Sequence, residues 1–125
     1  MSHISHLKTI IRSREHLLKA LSDLGYRVEE GKFHIPGFGG QQAAVEIRVP
    51  LRLSNDIGFH YNGEVYEIVA DWWSVFGVKR KQFVESVTQR YAYHVAVDQL
   101  QEQGFSLVEE TKQKGEIHLL LRRSG

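Results

Sequence analysis

The sequence predicts an α+β fold: a mostly antiparallel sheet from two strand–helix–strand–strand units, with two helices packed on one face. Three observations carry this. Apolar residues recur at helical spacing in two separate stretches, before residue 25 and again from about 79 to 103. Between them, IGFHYNGEVYEIVA holds an Asn62-Gly63 pair flanked by alternating apolar residues, the signature of a β-hairpin. Finally, LSDLGYRVEE (21–30) and LQEQGFSLVEE (100–110) echo each other as helix end, glycine, aromatic, strand and two glutamates, which suggests an internal duplication.

Taken in order, residues 3–11 (HISHLKTII) are β-rich and read as a first strand. Ser13 is a good N-cap, since its hydroxyl can accept a first-turn amide. Leu17, Leu18, Leu21 and Leu24 then form one helical stripe, and Gly25 supplies the left-handed stop. Residues 26–30 read as a short strand. Residues 31–42, with four glycines and Pro36, read as a loop, and Ala44 to Val49 as a strand closed by Pro50. A two-residue Asn62-Gly63 turn would pair Tyr61 with Glu64, Phe59 with Tyr66 and Ile57 with Ile68. That places Phe59, Tyr66, Ile57 and Ile68 in the core. A loop at 71–78 leads into a long helix over 79–103, ended by Gly104. Residues 105–109 and 116–122 make a second hairpin around TKQKG, with Ile117, Leu119 and Leu121 on one face.

Composition narrows the function classes. With 125 residues, 42% hydrophobic and 25% charged, the chain reads as one domain, residues 1–125, with an ordinary core. No apolar run is long enough to span a bilayer, and MSHISHLKTI lacks a signal-peptide core. There are no cysteines, which excludes disulfide and thiolate chemistry and fits a cytoplasmic location. A net charge of +1 gives no global pull toward nucleic acid or membranes. No cofactor motif is present: PGFGG (36–40) lacks the strand–glycine–helix context of a phosphate loop, and the seven histidines are too scattered for a metal site.

The unusual stretch is VTQRYAYHVAVDQL (87–100) in the long helix. Phe83, Val84, Val87, Tyr91, His94 and Asp98 share one side, and Tyr93, Val97 and Leu100 form a second stripe. So wide an apolar band implies cover by another element or by a partner. His94 and Asp98 at i, i+4 could hydrogen-bond and leave one imidazole nitrogen free for a proton or a metal. Arg90 could clamp a carboxylate such as Asp71. The candidate functional cluster is therefore Arg90, Tyr91, Tyr93, His94, Asp98 and Asp71. The favoured reading is that these groups satisfy one another at the core edge, because catalysis needs a cleft and a second reacting group. Trp72, Trp73, Lys79, Arg80 and Lys81 form a candidate interface, aromatic and basic together.

MSHIS, ALSDLGY, DIGFHYNGEVYEIVADW, VTQRYAYH and QGFSLVEE, in this order, resemble the hypothetical chloroplast reading frame thirty-five family of cyanobacteria, algal plastids and other bacteria. The resemblance covers nearly the whole chain and VTQRYAYH is its most specific part. It implies a soluble stand-alone domain of unknown function, supplies no catalytic residues, and makes Arg90, Tyr91, Tyr93 and His94 the first positions to test. The chain departs from plastid members around 72–82, where WWSVFGVKRK replaces a more neutral segment.

The expectation is an accessory or binding protein without catalytic activity or cofactor, acting through an unknown protein partner or as a homo-oligomer. Nucleic-acid binding through 79–81 and a ligand-binding or enzymatic role for the helix cluster are the alternatives. No membrane association is expected.

Overall fold

In the computed structural model, which describes residues 3–123, the elements run β1 (Ser5–Lys8), α1 (Arg14–Asp23), β2 (Glu29–Pro36), β3 (Gln42–Val49), β4 (Ile57–Tyr61), β5 (Tyr66–Ala70), α2 (Arg80–Glu102), β6 (Phe105–Gln113) and β7 (Glu116–Arg123). The first five strands form one antiparallel sheet in the order β1-β5-β4-β3-β2, and β6 and β7 form a separate two-stranded ribbon. The α+β class is as expected from the sequence. The echoed segments occupy equivalent places, each a helix end followed by a glycine with positive φ, at Gly25 (85°) and Gly104 (92°). The hairpins after them part company: β2 and β3 join the main sheet, whereas β6 and β7 do not.

Both helices cover one face of the sheet. Leu17, Ala20 and Leu21 of α1 and Phe83, Val87 and Tyr91 of α2 pack with Ile47, Val49, Ile57, Phe59, Ile68 and Ala70. Phe83 is the hub, with ring centroids 6.1 Å from Phe59, 5.3 Å from Tyr26 and 6.0 Å from Trp72. Leu24, expected in the α1 stripe, is exposed because the helix has already ended there. A second, smaller core cluster gathers Ile35, Val45 and Val69 from β2, β3 and β5. Gly58 makes this close approach possible: a Cβ there would lie 2.6 Å from Val45 Cγ1 and 2.9 Å from Ile35 Cγ1.

Several boundaries differ from the sequence expectation, each for a local reason. The first strand is only Ser5–Lys8. Beyond it the chain bulges around Tyr66, which accepts from the Thr9 amide and hydroxyl and donates to the Ile11 carbonyl, leaving Ile10 outside. The segment expected as a loop over 31–42 is mostly strand. A register shift between Glu30 and Phe33, where Gly31 sits at φ 154°, interrupts the alternation without ending the pairing. In the central hairpin the register is Tyr61 with Tyr66 and Phe59 with Ile68, two residues on from the expected pairing. The turn has four residues, because the Asn62 side-chain oxygen accepts from both the Glu64 and Val65 amides. An even shift preserves the faces, so Phe59, Tyr66, Ile57 and Ile68 are all buried as expected. The last hairpin turns tightly at Lys114-Gly115 (φ 50° and 78°), with the rest of TKQKG taken into β6. Among the described residues no helix is long and apolar enough to cross a membrane.

Candidate functional site

The polar middle of α2 meets both ends of α1. Tyr91 is buried, and its hydroxyl accepts from the Arg12 amide (3.0 Å) and the Ser13 amide (3.1 Å), just ahead of the first turn. Ser13 caps α1, its hydroxyl accepting from the His16 amide at 3.3 Å and facing His16 Nδ1. With Nδ1 accepting the Ser13 proton, Nε2 carries hydrogen and donates to Asp98 of α2. At the far end of α1, Arg90 donates from Nε to Asp23 at 2.7 Å and from its terminal nitrogen to Glu110 of β6 at 2.7 Å. His94 donates to the same Asp23 oxygen at 2.6 Å. The Arg90 guanidinium lies 3.9 Å from the Tyr93 ring centre. These contacts bind α1, α2 and β6 into one unit.

The electrostatics agree with this role. Burial pushes the Asp23 carboxyl up, but the hydrogen bonds from Arg90 and His94 outweigh it and hold the group below its ordinary value. The hydrogen bond from Arg90 holds Glu110 down, and the one from His16 does the same for Asp98. Burial opposes the charge on Arg90, yet its bonds to Asp23 and Glu110 raise its pKa. Burial and the neighbouring Glu110 push the Tyr93 phenol up.

The structure rearranges the partners expected from sequence. His94 bonds Asp23, not Asp98, and Asp98 bonds His16. Arg90 takes Asp23 and Glu110, and Asp71 stands apart from the cluster, buried at the end of β5 with one oxygen 3.5 Å from the Ser74 hydroxyl. Ser13, His16, Asp23 and Glu110 belong to the network and were missed. Arg90 lies 67 residues from Asp23 and 20 from Glu110, beyond any helical spacing rule.

A cleft of about 320 Å³ opens beside Asp23, Arg90 and Glu110. Arg90 is bonded there to both flanking carboxylates, and Lys112 lines the same cleft. The serine–histidine–aspartate order at 13, 16 and 98 is a helix cap extended across to α2. Among the described residues no three histidine or acidic side chains converge as a metal-ligand set.

The second candidate region lies at the start of α2. The two adjacent tryptophans have opposite fates: Trp72 packs against Phe83, whereas Trp73 is 75% exposed. Phe76 is 65% and Leu53 90% exposed. The loops bearing them are fastened together, since the Asn55 amide donates to the Ser74 carbonyl at 3.0 Å and the Phe76 amide to the Ser54 hydroxyl at 2.8 Å. Leu53 holds a left-handed φ of 56°, unfavourable for leucine. Asp71 Oδ1 and Trp72 Nε1, at the base, are buried without a hydrogen-bond partner. Lys79, Arg80 and Lys81 follow at the α2 N-terminus, which has no side-chain cap and no acidic residue in its first turn. Beside Phe76 a cleft of about 500 Å³ is floored by Tyr26 and Phe83 and rimmed by Lys79 and Gln82.

A family model described as "Protein of unknown function (DUF1257)" matches residues 20–120. The chain is 35% identical to "Uncharacterized protein ycf35" of Guillardia theta over 130 aligned positions, covering 98% of each. It is 32% identical to the protein of the same name from Cyanophora paradoxa over 127 positions, again covering 98% of each. The Pyropia yezoensis protein of that name is also 32% identical, with the same coverage. No solved structure matches. With a family model spanning most of the residues and relatives matched along nearly their whole length, the chain belongs to this DUF1257 family, whose function is unknown.

Proposed function

We propose that the protein is an accessory binding protein that works through protein contacts, with its recognition surface at the tip formed by Leu53, Trp73 and Phe76. The observation that carries this is the display of three large apolar side chains, 90%, 75% and 65% exposed, on two loops fastened to each other. Leaving such side chains in water is unfavourable, and covering them is the main driving force for association. The tip also gathers local departures from good packing and hydrogen bonding: the left-handed Leu53 and the two orphaned polar atoms of Asp71 and Trp72. Such departures concentrate where function competes with stability. Arg52 adjoins Leu53 in the chain, Lys79 lines the cleft beside Phe76, Arg80 and Lys81 follow it, and residues 50–55 and 72–84 contain no Asp or Glu. The matching partner is a protein face with an apolar centre and an acidic rim. The half-buried Arg90, His94 and Asp98 of α2, by contrast, are engaged with partners on α1 and β6.

A photoreactive phenylalanine analogue in place of Trp73 tests this in extracts of the native host. The expected outcome is one dominant crosslinked protein, lost when Lys79, Arg80 and Lys81 are replaced by Glu. With that protein in hand, Trp73→Ala weakens binding by about thirtyfold, as expected for a central tryptophan. Unchanged binding by both variants overturns the proposal. Binding to nucleic-acid probes that weakens steeply with salt would assign the basic segment to phosphate instead.

A further inference from the structure

We propose that the free edge of β7 is a self-association surface, and that two copies of this chain pair β7 against β7 in antiparallel register about a two-fold axis. The ribbon is an incomplete sheet. It has two strands, and among the described residues β7 pairs with β6 alone. A two-stranded ribbon is marginally stable by itself. Its two edges also differ. β6 is blunted by a bulge between Leu107 and Glu109 and by charges at Glu109, Glu110 and Lys112. β7 carries Ile117, His118, Leu119, Leu120 and Leu121 in succession, a run with no bulge, proline, Lys, Arg, Asp or Glu, and its charges, Glu116, Arg122 and Arg123, lie only at its ends. The middle of this edge has none of the features that keep edges from pairing.

The backbone limits which register is allowed. The two-residue turn at Lys114-Gly115 makes Gln113 and Glu116 a hydrogen-bonded pair. Along β7 the backbone groups of Glu116, His118 and Leu120 therefore face β6, and those of Ile117, Leu119 and Leu121 face outward. In an antiparallel partner, outward residues pair only with outward residues. Placing Leu119 opposite its own copy sets Ile117 against Leu121 and Glu116 against Arg122. The strand is charge-antisymmetric in this sense, acidic at its start and basic at its end, so this register forms an ion pair at both ends. Parallel pairing would set Glu116 against Glu116 and arginine against arginine. Glu116 lies 3.4 Å from the exposed His118 of its own strand, on the surface that Arg122 of a second copy would reach.

The side chains fit as well. Ile117, Leu119 and Leu121 are half-buried on the face toward α2. A cleft of about 420 Å³ between β7 and α2, lined by Ala92, Tyr93, Ala96, Ile117 and Leu119, runs beside the open edge. The inner side chains of an added strand fall into it. This covers Tyr93 and Ala96 of α2.

Light scattering after size exclusion should give about twice the 14.4 kDa of one chain. Leu119→Pro removes an outward amide that β6 does not use, and should yield monomer. Glu116→Arg or Arg122→Glu alone should weaken the dimer by about tenfold, through two like-charge contacts per pair, and the double reversal should restore it. That rescue separates lost pairing from lost folding. The chain has no native cysteine, so His118→Cys mixed with Leu120→Cys should crosslink under oxidation, whereas neither does so alone. Trp73→Ala should leave the dimer intact, which distinguishes this surface from the tip. A monomer at every concentration, a dimer indifferent to both charge reversals, or a dimer dissolved by Trp73→Ala would each overturn the proposal.

Discussion

The β4–β5 and β6–β7 hairpins begin from similar local signals: alternating apolar residues on either side of a glycine-containing turn. Their surroundings make them different objects. β4 and β5 lie within the five-stranded sheet, with Phe59 and Ile68 under the helices and Val69 buried in a second cluster with Ile35 and Val45. The β6–β7 ribbon packs mainly against α2. Its polar attachments there include the Arg90–Glu110 pair and the bond from the Gln89 amide to the Gly115 carbonyl. Turn chemistry makes a hairpin, but what packs on it decides whether it anchors the fold or remains an appendage.

This contrast orders the expected effects of substitution. Phe59→Ala should be the most damaging, costing about 3–5 kcal/mol in urea unfolding, since it removes a fully buried ring that packs on Phe83. Gly58→Ala should follow at about 1–3 kcal/mol, because the added methyl lies within 3 Å of Val45 and Ile35. Arg90→Gln should reduce global stability by only about 1–2 kcal/mol, yet selectively lower amide protection across residues 105–123. If protection fell equally in β4 and β5, the ribbon would be part of the same cooperative unit and the contrast would fail.

Acid should produce the mildest and most local effect. Asp23, Asp98 and Glu110 all have carboxyls held below their ordinary values in the folded chain. Their stabilising contribution is complete above the unfolded carboxylate range of about 4 and is lost as pH falls through the lower folded values. Hydrogen exchange should therefore show the α1–α2 junction and the ribbon loosening below that range while the main sheet stays protected. Loosening that begins well above it would point away from these carboxylates.

Much of the secondary structure was legible in the sequence because it depends on near neighbours. Ser13 capped α1, Gly25 and Gly104 ended the helices, and the α2 core face ran through Phe83, Val87 and Tyr91. Boundaries went astray where an irregularity preserved pairing but broke alternation, as at Gly31 and at Thr9–Ile10. The central hairpin slipped by two residues because the Asn62 side chain, not the Asn-Gly backbone alone, built the turn. The α2 cluster was legible as residue types and not as pairs: its partners, Ser13, His16, Asp23 and Glu110, come from other elements. The tip was legible only in part, because sequence cannot say which of two adjacent tryptophans turns inward.

The divergent fates of those two indoles give the chain a built-in optical reference. Trp72 is half-buried against Phe83 and Trp73 stands in water, so the two should emit at different wavelengths. A soluble quencher reaches one and largely spares the other. Occupation of the tip is therefore readable in unlabelled protein as the accessible half of its fluorescence becoming protected.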